Sequence, residues 1–385
     1  MNFEIKIANK QICFYSPPRT SVDVIIFDET SSDELIKYVI NGLSFFVYHL
    51  NPEKIFISPS IIYYFLKSLR VFNYQCAKIK KRKIKKIRAL IGELLNHYRL
   101  GCFQFMSPKV VITTIDNDRV FQWISQKHKG AQYFAIQNGN RTKRELMEPH
   151  KNYLTNYFCF GDYEQYSFEK FGHYASNYIP VGSLIASIYK SKKSVKNNQM
   201  KYDICFVSQW KDKTFNQATE YDAINKKFME NIDNYLKEYI DKTGKSLCIG
   251  MRGKKDSLEY NYYKNLYEGD AFLQPNFCYS TYKLMDISNM IITFFSTSAR
   301  EAFGWNKKVL FIDYSKDNKY AYYKDGLWIL KEKSYDKFEK KLNMIINTNN
   351  TEYKKKTKSY ANFVMKYDPD VPTYIKIRNE ITKHL

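Results

Sequence analysis

Short apolar runs of four to seven residues recur along this chain, each passing into a polar loop and then into a stretch with helical spacing. Examples are VDVIIFDE (22–29), KIFISPS (54–60), KVVITTIDND (109–118), AQYFAIQNG (131–139) and YFCFGDYE (157–164). Strands alternating with helices in this way predict βαβ units and a parallel sheet. The runs are apolar throughout rather than alternating, as suits strands covered on both faces. At residues 190–201, KSKKSVKNNQMK, the pattern stops; it restarts with YDICFVSQW (202–210), SLCIGMRGKK (246–255), MIITFFSTSAREAFGW (290–305) and KVLFIDYS (308–315). The fold class expected is therefore α/β, with two Rossmann-like domains facing a cleft. The expected boundaries are 1–189 for the first domain, 190–201 for a linker, 202–340 for the second domain and 341–385 for a helical tail that packs back on the first. A length of 385 residues agrees, at roughly 150 residues per domain. In such sheets ligands bind beyond the carboxyl ends of the strands.

Composition narrows the function. The chain has 61 Lys+Arg against 39 Asp+Glu, a net charge of +22. That excess draws polyanions: nucleic acid, an anionic membrane face, or phosphorylated and carboxylated small molecules. A general Lys, Ile, Asn and Tyr bias explains it equally well. For a nucleic-acid-binding protein, basic and aromatic residues should alternate on one surface. Instead the aromatics lie mostly in apolar stretches, so no nucleic acid is expected as partner. The basic residues concentrate in one run, Lys78 to Arg88 (KIKKRKIKKIR), interleaved with Ile79, Ile84 and Ile87. It reads either as a solvated helix face or as a basic amphipathic helix in peripheral contact with an anionic membrane. The opening MNFEIKIANKQICFY has no basic stretch followed by an apolar one, so no signal peptide is expected. Seven scattered cysteines with no CxxC fit reduced thiols and a cytoplasmic location. No Cys/His group has zinc spacing, so no metal is expected. GxxxxGK[ST], GxGxxG and GxSxG are all absent, which argues against a P-loop ATPase, a dinucleotide oxidoreductase and an α/β-hydrolase.

Four strand ends carry candidate chemistry. In TFFSTSARE (293–301) an apolar strand stops at Ser296, Thr297 and Ser298, and a helix then carries Glu301 in its first turn. Hydroxyls beside the free N–H groups of a helix start suit a phosphate, and Glu301 suits ribose hydroxyls. The alternative is a capping box of Ser298 and Glu301. In IGMRGKK (249–255) the strand delivers Arg252, Gly253, Lys254 and Lys255: an anion grip, or a solvated basic turn. In IQNGNR (136–141) Gln137, Asn138 and Gly139 form a turn whose amides suit sugar hydroxyls, with Arg141 for an anionic group. In TTIDNDR (113–119) Asp116 and Asp118 are candidate catalytic carboxylates, as base or nucleophile, or else an N-cap cluster. Gly182 and Ser183 close the first half, while Ser208 and Gln209 end the first strand of the second. Both read first as plain turn chemistry; if the two halves stack, Gly182 and Ser208 face each other across the cleft.

The ordered set IDNDR, QNGNR, FGDYE, IPVGS, DICFVSQW and FFSTSAREAF resembles two-domain GT-B glycosyltransferases of bacterial surface-polysaccharide synthesis, over roughly residues 105–315. The resemblance implies a nucleotide-sugar donor on the C-terminal domain and a glycan or lipid-linked glycan acceptor on the N-terminal one. The enzyme would work on capsule or lipopolysaccharide at the cytoplasmic membrane face and need no metal or other cofactor. The serine turn is similar to that of CMP-sugar-using enzymes, with Glu301 at the ribose and Arg252 on donor phosphate or carboxylate. Where many sialyltransferases carry His-Pro, this chain has Met251, Arg252 and Gly253. That departure counts against a sialyltransferase and leaves room for a CMP-linked 3-deoxy-ulosonic acid, such as Kdo or a nonulosonate, which is the favoured donor. The rival activities are a CDP-polyol phosphotransferase of the teichoic-acid type and a nucleotide-sugar 2-epimerase.

Overall fold

The computed structural model describes residues 3–7, 10–15, 22–27, 31–48, 54–70, 83–192, 199–210, 220–315 and 324–385. Two six-stranded sheets organise them. The first runs, in spatial order, Phe45–Val47, Val24–Ile26, Val110–Thr113, Gln132–Ile136, Tyr153–Cys159 and Tyr174–Pro180, every neighbour parallel. The second runs Ala271–Gln274, Leu247–Gly250, Tyr202–Val207, Ser288–Thr293, Lys308–Ile312 and Ile329–Leu330, again all parallel. The central strands are buried on both faces, as their unbroken apolar character predicted: every residue of Val110–Thr113 and Lys308–Ile312 is buried.

Taken in chain order, the second sheet has the arrangement 3-2-1-4-5-6, so its direction reverses between Tyr202–Val207 and Ser288–Thr293. A crevice opens at such a reversal, where the two flanking loops diverge. The equivalent reversal in the first sheet lies between Val24–Ile26 and Val110–Thr113. A third, three-stranded sheet joins the hairpin Phe3–Ile7 and Lys10–Tyr15 to Lys54–Phe56. The two hairpin strands, and Phe45–Val47 in the first sheet, lie outside the apolar runs that mark the other strands in the sequence.

The expected boundaries shift in two places. The helix Leu184–Lys192 continues into the expected linker. There Lys190 pairs with Asp286 at 3.0 Å and sits 4.0 Å from the Trp305 ring centroid. Residues 193–198 lie outside the described residues. In the tail, the helix Tyr335–Asn347 spans the expected 340/341 boundary and belongs to the second domain, with Phe338, Leu342 and Ile345 in its core. The chain returns to the first domain after Val364. Its last helix, Thr373–Thr382, buries Ile377 and Ile381 in the cluster that holds Val24, Ile26 and Val39, and Arg378 donates to the Tyr38 and Val39 carbonyls.

That return runs through a slot too narrow for side chains. A Cβ on Gly161 would lie 2.4 Å from the Phe363 carbonyl oxygen, and one on Gly182 would lie 2.2 Å from that of Lys366. One on Gly304 would meet the Met365 side chain at 2.5 Å. Gly182 also has φ of +88°, a region other residues enter at a cost.

Candidate functional site

A cavity of about 530 Å³ opens between the two domains, beyond the carboxyl ends of both sheets. Its size is in the range of small-molecule sites. The second domain contributes Ser208 and Gln209 from one side of the strand reversal, and Phe295, Ser296, Thr297, Ser298 and Glu301 from the other. Arg252, Asn276, Thr281 and Tyr282 complete that wall. The first domain contributes Ser31, Thr114, Gln137, Asn138, Asn140 and Ser183. Among the described lining residues, Glu301 is the one carboxylate and Arg252 the one cation.

The hydroxyl turn is shaped by its strand. Thr293, at the end of Ser288–Thr293, donates its hydroxyl to the Val207 carbonyl at 3.0 Å, tying the two sides of the reversal together. The helix then begins at Thr297, with Ser296 in extended conformation as its cap residue. The Ser298–Glu301 capping box is not formed. Ser296 makes no side-chain cap bond; its Oγ lies 2.9 Å from that of Ser298. Glu301 instead turns toward the first domain. It accepts from the Ser183 hydroxyl and, at 2.6 Å, from Tyr282. Its carboxyl is pushed up to about 7, chiefly by burial; the Ser183 and Tyr282 bonds and the nearby Arg300 pull the other way. A cavity without a fully charged carboxylate near neutrality receives an anion at less electrostatic cost.

The first-domain wall is braced from behind. Gln137 lines the cavity, but its amide is spent on structure, donating to the Gly139 carbonyl at 3.0 Å and to Glu164 at 3.1 Å and accepting from the Phe160 N–H at 2.7 Å. Arg141 does not reach the cavity lining. Its guanidinium pairs with buried Asp116 and donates to Asn138 at 3.1 Å, while Tyr157 donates to the other Asp116 oxygen at 2.9 Å. Asp118 stands outside the cavity as the N-cap of the helix Arg119–Lys127, accepting from the Phe121 N–H at 2.7 Å. The two carboxylates read as catalytic are therefore a buried ion-pair member and a helix cap. Asp-rich starts of helices favour caps for this reason.

Four further residues differ from expectation. Gly182 faces the returning tail rather than Ser208, and Ser183 occupies the lining position. Gly253 admits a tight turn: its N–H donates to Glu259 at 2.5 Å, and a Cβ there would meet Ser257 at 2.4 Å. Lys254 is exposed and does not line the cavity. Gly139 also stays out of the lining but passes close to Thr297, whose hydroxyl would lie 3.6 Å from a Cβ.

Asn140, unread among its singled-out neighbours, joins the domains most directly. Its N–H donates to the Thr297 hydroxyl at 3.0 Å, its side-chain amide donates to the Phe295 carbonyl at 3.0 Å, and its side-chain oxygen accepts from Arg300 at 3.1 Å. Arg300 is itself buried, pairs with Glu164 across the interface at 2.7 Å and donates to the Val364 carbonyl through Nε at 2.9 Å. Tyr282 is held by stacking on Tyr189 at 5.0 Å between centroids. Both Asn140 and Thr114 lay inside motifs already quoted, so loop position was a usable signal. Ser31 follows the strand run 22–29 at a helix start and carried the same signal; for Tyr282 nothing local in the sequence did.

Residues 134–382 match the family model described as "putative O-antigen biosynthesis protein". The chain belongs to that family. The match runs from the strand before Gln137 through nearly all of the second domain and the return helix, and so takes in most of the cavity walls. No curated protein matches the chain. Among solved structures, the S. aureus MnaA–UDP complex superposes with a TM-score of 0.53 at 13% identity, covering 94% of this chain and 94% of that one. The UDP-GlcNAc 2-epimerase of Methanocaldococcus jannaschii, solved with UDP-GlcNAc and UDP, gives 0.51 at 13% identity, covering 94% and 99%. At that identity the likeness establishes the fold: two Rossmann-like domains in the GT-B arrangement for this O-antigen biosynthesis family member. In the described residues no helix is long and apolar enough to cross a membrane.

Proposed function

We propose that the protein is a nucleotide-sugar-dependent glycosyltransferase of surface-polysaccharide synthesis. One observation carries the reading: Ser296, Thr297, Ser298 and Glu301 share one wall of a cavity between two Rossmann-like domains. The donor phosphate lies against the hydroxyls of that turn and the start of the helix Thr297–Gly304, where N–H groups and the helix dipole favour negative charge. Glu301, whose oxygens each accept one bond from Ser183 or Tyr282, keeps a second lone pair on each oxygen for the ribose hydroxyls. As the acceptor hydroxyl oxygen bonds to the anomeric carbon, the bond from that carbon to the phosphate oxygen breaks, the hydroxyl's proton passes to the departing phosphate, and the turn meets the charge that collects there. Asn138 and Thr114 present the acceptor side; Asp116 acts through Arg141 as a positioning residue. The donor we propose is a CMP-linked 3-deoxy-ulosonic acid, because Arg252 shares the cavity and would pair with the carboxylate that neutral sugars lack. No divalent ion is required in this scheme, so chelator should leave transfer intact.

The test is a thermal-shift series with CMP, CDP, UDP, GDP and ADP. CMP should raise the melting temperature most, and the Ser296→Ala, Ser298→Ala double variant should lose that rise. No response to any of the five at millimolar levels would sink the reading. Product mass then separates transfer of a sugar from transfer of a polyol phosphate. Conversion of UDP-GlcNAc to its C2 epimer with no acceptor present, the activity named for the M. jannaschii neighbour, would replace transferase by epimerase.

A further inference from the structure

The helices Pro59–Leu69 and Lys83–Met106 pack as an antiparallel pair on the first domain. Their facing sides are tight. The Gly101 position lies against the Phe65 backbone, and His97 Nδ1 is 3.1 Å from the Ser68 hydroxyl. Outside this packing, both helices expose apolar side chains. Ile62, Tyr63 and Leu66 are 50%, 61% and 56% exposed, one helical turn apart on Pro59–Leu69. Ile87 and Ile91, again one turn apart, are 56% and 51% exposed on the second helix. Grouped exposed apolar side chains mark an interaction surface. The charge of this stretch of sequence is one-sided. From Lys54 to Met106 the sequence holds twelve Lys and Arg and a single acidic residue, Glu93. Lys67 and Arg70 are exposed beside Leu66, and Lys83, Lys85, Lys86 and Arg88 open the second helix in sequence.

We propose that this helix pair is the face by which the protein rests on an anionic lipid bilayer. Two requirements meet there. Aliphatic side chains enter the boundary between headgroups and acyl chains, and basic side chains remain among the anionic headgroups. Nucleic acid, the other polyanion a basic surface attracts, fits less well, because isoleucine and leucine gain nothing against a phosphate backbone. The inference is independent of the donor reading, since binding needs no nucleotide.

The experiment is sedimentation of the full chain with vesicles of phosphatidylcholine, alone or mixed with phosphatidylglycerol. Binding should be strong on the mixed vesicles and at least about tenfold weaker on phosphatidylcholine alone. The Ile62→Glu, Leu66→Glu double variant should lose about tenfold on mixed vesicles while keeping the parent melting temperature, because both side chains face solvent. Should that variant melt early, Leu66→Gln, which adds no charge, serves in its place and should also weaken binding. Raised salt should weaken the parent's binding without abolishing it, since the apolar part is insensitive to screening. Failure of the parent to bind mixed vesicles, binding equal to the parent by correctly folded variants, or complete release by salt would each overturn the proposal. So would a duplex oligonucleotide that displaces the protein from vesicles and binds the variants as well as the parent.

Discussion

Glu301 is the titratable group whose behaviour most directly reports the cavity. Its carboxyl, ordinarily near 4.5, stands at about 7 in the folded protein. Between those values the folded state keeps a proton that the unfolded chain releases. The stability linked to this group is therefore complete below about pH 4.5 and lost as pH rises through 7. Glu301→Gln should remove that slope, so the stability gap between variant and parent should change by about 3 kcal/mol between pH 4.5 and 8, read from urea midpoints. The Arg300–Glu164 pair makes a second case. Both side chains are buried, so Glu164→Gln leaves a guanidinium charge without its partner and should cost about 3–5 kcal/mol. Adding Arg300→Met should recover much of that loss; a double variant as unstable as the sum of its parts would show that the two residues act independently.

Helix starts and strand ends decide which carboxylates are available. The cap on the helix Arg119–Lys127 gives Asp118 a structural task. Asp118→Ala should therefore cost about 1 kcal/mol of stability and leave the nucleotide-induced thermal shift and the transfer rate unchanged. A collapse of transfer in a stably folded Asp118→Ala protein would restore it to the chemistry. The Pro180–Ser183 loop makes the opposite point, since backbone and not side chain matters there. At Gly182 the positive φ and the nearby Lys366 carbonyl leave no place for a methyl group. Gly182→Ala should cost more than about 2 kcal/mol, measured by denaturant midpoint. Much at this scale could be read in advance. Unbroken apolar runs announced buried parallel strands, and the polar residues after them marked most of the cavity wall. The capping box at Ser298 was misread because serine followed three residues later by glutamate is a local pattern. Ser183 and Tyr282, which take up the Glu301 oxygens, come from distant segments.

At the scale of the whole molecule, the return of the chain to the first domain holds the cavity walls together. Ile377 and Ile381 are buried among residues of the first sheet and the helical stretch 32–40. Ending the chain at Val371 should expose that surface and cost about 4 kcal/mol. The melting temperature should fall, and the nucleotide-induced shift should shrink with it. Loss of stability with an undiminished nucleotide response would mean that the tail supports the first domain alone. Arg300 strengthens the expectation, because one side chain engages Glu164, Asn140 and the Val364 carbonyl and so connects both domains to the tail.

Order along the chain was enough to establish two α/β domains, the strand ends at which polar groups gather, and the hydroxyl turn at 296–298, because each depends on hydrophobic period and nearby residues. Which polar groups face the cavity and which are consumed in bracing it was decided by tertiary structure. Asp116, Arg141 and Gln137 look as reactive in sequence as Ser296 and Glu301. Tyr157, which holds Asp116, and Glu164 and Phe160, which hold Gln137, arrive from later segments, while Arg141 is held by Asp116 from the preceding strand end. A buried polar group must find a partner wherever folding brings one, and that partner, rather than the residue type, determines whether the group remains available to a substrate.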